Sequence, residues 1–235
     1  IKDPKNIVKP GPMGPKDGWD LDDSQLYSVP RAHSSKNPEL QKIIEQPGQG
    51  IWLTDMTGNP YEEIDRLDRT LTDANSKGQV PFVVSYFIEG RDVAENSAGG
   101  RHSAGGARND AEWKKYYQTL SQKIGDKKAI VILEPDALGH SVNDNSFDKA
   151  KAIREALMYL REHNPNIKTA LDIANSAWLG GKVNQAADML VKAGMEYADF
   201  FTTNIAQFKK LENEVAYVDK IVNALEARGI TGKKG

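Results

Sequence analysis

Short apolar runs rich in β-branched and aromatic residues alternate along this chain with polar or Gly-rich stretches. Segments whose apolar residues recur at three- or four-residue steps follow them. The runs Gly50–Met56, Pro81–Ile88, Lys128–Glu134, Lys168–Ala174 and Phe200–Ile205 predict five strands as a minimum, each apolar enough to be covered on both faces. Between them, helical spacing predicts helices marked by Ile64, Leu67 and Leu71, by Trp113, Tyr117, Leu120 and Ile124, and by Ile153, Leu157 and Leu160. A last helix carries Val215, Val218, Val222 and Leu225 and stops at Gly229, a residue suited to the C′ position. Strand and helix in alternation predict an α/β domain with a parallel sheet.

Two parallel architectures compete. A doubly wound dinucleotide fold needs G-x-G-x-x-G straight after its first strand, and here Thr57-Gly58-Asn59-Pro60 stands there instead. The predicted strands share a polar residue at or after the carboxyl end: Asp55, Asp92, Asp136, Asp172 and Asn204. In a β/α barrel those ends converge on one face, where active sites are built. The fold expected is therefore a parallel β/α barrel with a carboxylate-lined site at its top.

Residues 1–25 hold Pro4, Pro10, Pro12 and Pro15 without periodicity and read as an extended lead-in or linker, leaving 26–235 for the barrel. The 235 residues balance 31 basic against 33 acidic side chains, a net charge of −2, which excludes the usual basic nucleic-acid binder. No apolar run approaches the ~18 residues of a membrane helix, so no membrane partner is expected. The absence of cysteine removes disulfides, Cys-zinc sites and thiol nucleophiles together. The sequence opens at Ile1 without a basic and apolar leader, so it reads as a processed product or an excerpt.

Three stretches carry candidate chemistry. Ile132-Leu133-Glu134-Pro135-Asp136 is an apolar strand ending in two acids that period-two alternation places on one side. Asp136, near apolar walls and another carboxylate, either donates a proton from a raised pKa or caps the following turn. Gly90-Arg91-Asp92 leads into a loop of Gly, Ala and Ser up to Gly106; long loops of this kind often serve as lids, while Arg91 and Asp92 also suit a salt bridge at its base. In Leu171-Asp172-Ile173-Ala174-Asn175-Ser176-Ala177-Trp178, the Trp either packs on the barrel rim or offers an apolar face to a ligand such as a pyranose ring. Trp52 is a second candidate platform and shares its side with Thr54.

The four histidines fall in no metal-binding spacing, and Gly139-His140-Ser141-Val142-Asn143 lacks the last Gly of a nucleophile elbow. Acids and exposed aromatics on a barrel point to acid–base chemistry on carbohydrate, with no metal and no organic cofactor. Two rivals stay open: a glycan-binding protein on a degenerate hydrolase scaffold, and a barrel enzyme acting on a small acid or phosphate ester with a divalent metal.

At these residues the chain resembles glycoside hydrolase family 6, the cellulases that include inverting endoglucanases and cellobiohydrolases. The motifs run in the family's order: Trp52, Tyr86 before Gly90-Arg91-Asp92, Ser97-Ala98-Gly99-Gly100, Leu133-Glu134-Pro135-Asp136, Leu171-Asp172 with Trp178-Leu179-Gly180, and Thr203-Asn204. The resemblance implies a distorted TIM-like barrel whose cleft crosses the carboxyl ends of the strands. It implies hydrolysis of β-1,4-glucosidic bonds in cellulose or cello-oligosaccharides, by a secreted, extracellular and monomeric enzyme. Asp136 would be the general acid and Asp92 the carboxylate that keeps it protonated and manages the catalytic water. Tyr86 would press on the distorted sugar and Ser97 would place the water. Trp52, Thr54, Asn175, Trp178 and Asn204 would line glucosyl subsites, while Arg91, Glu134 and Asp172 support the acid network.

Some positions depart from the family pattern. Val93 stands where a disulfide Cys is frequent, Asn175 where His is common, and Gly181 where a further Trp is frequent. After Gly229 the family continues into another strand and a Gly-rich loop with Lys and acidic residues, the base among them. The expectation is therefore that C-terminal strands are missing from these 235 residues, with Asp92 the stand-in for the base.

Overall fold

The computed structural model describes residues 25–26, 50–55, 58–91, 105–143 and 148–235. The elements are β1 (Gln25–Leu26), β2 (Ile51–Leu53), α1 (Pro60–Ser76), β3 (Gln79–Val80), β4 (Phe82–Ser85), α2 (Asp110–Ile124), β5 (Ala129–Leu133), α3 (Ala137–Asn143), α4 (Lys149–His163), β6 (Ile167–Asp172), α5 (Ser176–Leu179), α6 (Val183–Lys192), β7 (Phe200–Thr202) and α7 (Leu211–Glu226). All five expected strands are present and form one parallel sheet in the order β2-β4-β5-β6-β7. Its registers include Ile51↔Val83, Val83↔Val131, Val131↔Thr169 and Leu171↔Phe201. A separate two-residue pairing joins β1 to β3, so the expected boundary between lead-in and barrel falls inside β1.

Alternation along the strands sorts the side chains onto two faces. Leu53, Val83, Val131, Leu133, Leu171 and Phe201 point to the helices and merge with Leu67 and Leu71 of α1, Tyr117 and Leu120 of α2, and Leu157 and Leu160 of α4 in the main core. Val84, Ile132 and Ala170 face the other way, with Phe82, Phe200 and Ile205 packed on them. The helices start where short polar side chains satisfy free amides: Asn59 caps α1 ahead of Pro60, Asn109 caps α2 and Asp148 caps α4.

The last helix ends in a Schellman motif at the expected glycine. Gly229 has φ +80°, its N–H donates to Glu226 O at 2.9 Å, and Ile230 N–H donates to Leu225 O at 3.0 Å. The buried stripe of that helix differs from the expected one. Tyr217, Ile221 and Leu225 are enclosed, Val218 and Val222 flank them, and Val215 is exposed.

Candidate active site

The carboxyl ends of β5, β6 and β7 leave extended geometry in an uncommon way. Glu134, Asp136, Ala174 and Asn204 have φ of +50°, +65°, +54° and +62°, although none is glycine. Such backbone persists only where its surroundings over-determine it, and it clusters at functional sites. Here the determinant is Asp172. Its Oδ1 accepts from Asp136 N at 2.8 Å and from Ala174 N at 3.0 Å, and its Oδ2 accepts from Thr202 Oγ1 at 3.2 Å. Asn204 N then donates to Ala174 O at 2.6 Å, tying the end of β7 to that of β6. Asp172 is fully enclosed, and burial, reinforced by the Asp136 charge, pushes its carboxyl up to about 7. Asp136, itself part of this bend, is half-buried.

Alternation stops at Leu133, because Glu134 and Asp136 both adopt positive φ. The two acids differ in their surroundings, Glu134 fully buried and Asp136 half-buried. Glu134 turns into the protein, where Ser85 Oγ and Tyr117 OH lie 2.7 Å from its Oε1, and the amides of Phe87 and Ile88 donate to its Oε2 at 2.8 Å each. This carboxyl group reaches the chain on both sides of Tyr86.

Tyr86 meets Trp52 edge-on at 5.6 Å between ring centroids, and the Arg91 guanidinium carbon lies 5.1 Å from the Tyr86 centroid. Arg91 is buried and ion-paired with Asp55. Asp55 also accepts from Gly106 N at 3.0 Å, so it joins the two ends of the Gly-rich loop. The loop base is completed by Gly90 N donating to Gly105 O, by Ala107 N donating to Phe87 O, and by Lys149 Nζ donating to Gly90 O. Asp92 and Ser97 lie outside the described residues.

Trp52 is 38% exposed. It lines a cavity of about 660 Å³ on the sheet face away from the helices, together with Phe82, Val84, Ile132, Phe200 and Asn204. Asn204 holds its loop through Oδ1, which accepts from Lys209 N at 3.0 Å. Thr54 is placed differently from Trp52: its hydroxyl donates to Glu63 Oε1 at 3.2 Å and it does not line the cavity. Asn175 is buried and caps α5 by accepting from Trp178 N at 3.1 Å. Trp178 is half-buried, with its ring edge-on to His140 at 4.8 Å, so much of it packs on the rim.

Several supporting residues were not expected. Ser85 and Tyr117 on Glu134, Thr202 on Asp172, and Glu214 of α7, which accepts from Ser176 N at 3.1 Å, hold the site from behind. Thr202 sits at a strand end, the signal that marked Asp55 and the other acids; Tyr117 reads only as core. Among the described residues no three His, Asp or Glu side chains are grouped to hold a metal ion. No helix there is long and apolar enough to cross a membrane.

The family model for glycosyl hydrolases family 6 matches residues 22–233. Endoglucanase 1 of Streptomyces sp. (strain KSM-9) is 28% identical over 189 residues, covering 79% of this chain and 50% of that protein. The chain thus spans about half the length of that curated relative. Two solved structures superpose on it: an endoglucanase from Mycobacterium tuberculosis in complex with a methyl-cellobiosyl thio-cellobioside (TM-score 0.69, 20% identity, 86% of this chain and 69% of that one) and an Orpinomyces sp. Y102 enzyme (TM-score 0.70, 22% identity, 90% and 69%).

Proposed function

The chain belongs to glycosyl hydrolases family 6 and has a distorted parallel β/α barrel fold, and from that premise we propose that it hydrolyses β-1,4-glucosidic bonds in cellulose and cello-oligosaccharides with inversion at the anomeric carbon. Asp136 is the general acid and protonates the leaving glycosidic oxygen. Asp92 is the neighbouring carboxylate that keeps that proton on Asp136 and helps manage the attacking water. Inversion leaves room for a water between the acid and the base, with carboxyl groups about 6.5–9.5 Å apart.

The observation that carries this reading is the bend at the end of β5. The main chain of Asp136 is fixed at φ +65° by its amide bond to Asp172, and Ile132 of the strand that leads to it lines, with Trp52 and Asn204, an aromatic cavity of about 660 Å³. Asp172 and Arg91 hold the acid network and Glu134 braces it. Trp52, with an exposed face, and Asn204 line glucosyl subsites; Tyr86 presses on the distorted sugar, Ser97 places the water, Trp178 shapes the subsite wall, and Thr54 and Asn175 support it from beneath the surface. The enzyme works outside the cell, as a monomer, on a chain substrate.

Proton NMR of cellohexaose during turnover, run beside Asp136→Asn, tests the reading. The expected result is α-anomer appearing first from the native protein and a loss of about 10²–10⁴-fold in the variant, with sugar binding retained. First-formed β-anomer, or undiminished turnover in the variant, overturns it.

A further inference from the structure

The two oxygens of the enclosed Glu134 carboxyl group have different partners. Oε2 faces the amides of Phe87 and Ile88, both pure donors at 2.8 Å, which occupy its two lone pairs. Oε1 lies 2.7 Å from Ser85 Oγ and 2.7 Å from Tyr117 OH, and those hydroxyl oxygens are themselves 2.7 Å apart. Three oxygens thus form a closed triangle in which every edge has the length of an O–H···O hydrogen bond.

Each edge needs one hydrogen. An ionised carboxylate leaves only two, from Ser85 and Tyr117; if both point at Oε1, the remaining edge sets lone pair against lone pair. A proton on Oε1 supplies the third. Glu134 then donates to Ser85, Ser85 to Tyr117 and Tyr117 back to Oε1, or the ring runs in the opposite sense, and every oxygen donates once and accepts once. Oε2 remains a carbonyl oxygen accepting its two amides.

We propose that Glu134 is a neutral carboxylic acid in the folded protein and that in this form it is the positioning residue for Tyr86. Ser85, Phe87 and Ile88 bracket Tyr86 in the chain, so the main chain wraps round this carboxyl group and turns the Tyr86 ring out to meet Trp52. Among the described residues no Lys, Arg or His side chain bonds to Glu134. Among the described residues the titratable groups that act with it are Tyr116 and Tyr117 on α2; Glu63 on α1 and Arg91, paired with Asp55, act on Tyr116, and Asp136, bonded to Asp172, stands two residues on in the chain. Burial without a paired cation favours the neutral form, and it pushes the carboxyl above the usual range against the pull of its four hydrogen bonds.

The role given to Tyr86 rests on the glycosidase reading, whereas the protonation state does not, and the two are measured separately. Infrared difference spectra of the native protein against E134Q at about pH 7 should show one carboxylic-acid C=O stretch lost in the variant. Loss of a carboxylate band instead overturns the proposal. Gln keeps the shape of the neutral acid and cannot ionise, so the pH dependence of the two melting midpoints has a defined sign. Above about pH 4.3 the folded native protein holds a proton that the unfolded chain releases, and its stability falls with rising pH relative to E134Q. The gap in favour of E134Q should widen by several degrees; a gap that closes means an ionised Glu134. Hydrogen exchange of the native protein tests the positioning directly: the Phe87 and Ile88 amides should be among the slow ones, and rapid exchange at both overturns it.

Discussion

The backbone amide of Asp136 donates to Asp172 Oδ1 at 2.8 Å. A buried carboxyl group on β6 therefore fixes the main chain at the end of the neighbouring β5, where the proposed acid sits. Because Oδ1 also takes Ala174 N, one oxygen sets two left-handed residues at once.

That carboxyl group titrates in the physiological range. With Asp172 raised to about 7 in the fold, the native state binds more protons than the unfolded chain between about pH 4 and pH 7. Stability contributed by the protonated form is full below the unfolded pKa and is lost as pH rises through the folded one, by roughly 1.4 kcal/mol for every tenfold difference in proton affinity between the two states. Asp172→Asn should flatten this part of the stability profile, as followed by urea denaturation at about pH 4, 5.5 and 7.5. An unchanged slope would show that Asp172 does not carry it.

The Arg91–Asp55 pair predicts a loss larger than a surface ion pair gives. Arg91 is 7% exposed and Asp55 22%, so Asp55→Ala leaves a buried guanidinium without this counter-charge. The expected cost is about 3 kcal/mol by chemical denaturation. The double variant Asp55→Ala/Arg91→Met should lose less than the sum of the two single ones, since the stranded charge is gone.

Gly106 stands where no side chain fits. Its φ is +86°, and a Cβ there would lie 1.9 Å from Ile88 O. Gly106→Ala should cost more than about 2 kcal/mol and open the base of the Gly-rich loop. Thermal unfolding and limited proteolysis between Gly90 and Ala107 would register both effects. Native-like stability would mean that the loop base is built otherwise.

Trp52 makes a different kind of contribution. It is 38% exposed at the cavity mouth and its contact with Tyr86 is edge-on. Trp52→Ala should weaken cellohexaose binding by about 1.4 kcal/mol, tenfold in Kd, while folding stability changes by less than about 1 kcal/mol. Titration calorimetry beside chemical denaturation separates the two.

Much of the sheet is legible in the sequence because a strand buried on both faces is a continuous apolar run. The strand ends are not. The run Lys128–Glu134 yields a strand of Ala129–Leu133, since the chain turns to positive φ at Glu134, a residue type with no bias toward that region. Asn204 and Asp136 tolerate such backbone better, which partly marks them, but Ala174 carries no signal. The helix α6 escapes notice because two of its three buried positions are Ala186 and Ala187, weak apolar markers in a ten-residue segment. In α7 two apolar stripes run side by side, and only the packed structure shows that Tyr217 and Ile221, rather than Val215, face the core. Of the site, Asp136, Asp172 and Asp55 are visible as polar residues ending apolar runs. The Ser85–Tyr117–Glu134 ring is not, because its members are far apart in the chain and each alone looks like core or strand.

The order of strands in the main sheet matches their order in the chain, each pairing with the one made before it: β2 with β4, then β5, β6 and β7. For a chain emerging from the ribosome, every new strand therefore finds its template already synthesised, and no register waits for a partner still to come. Synthesis and assembly can advance together, one strand and helix at a time. At every stage the growing sheet presents a fresh open edge, and the speed with which the next segment arrives to cover it decides whether that edge recruits its own chain or a neighbour's.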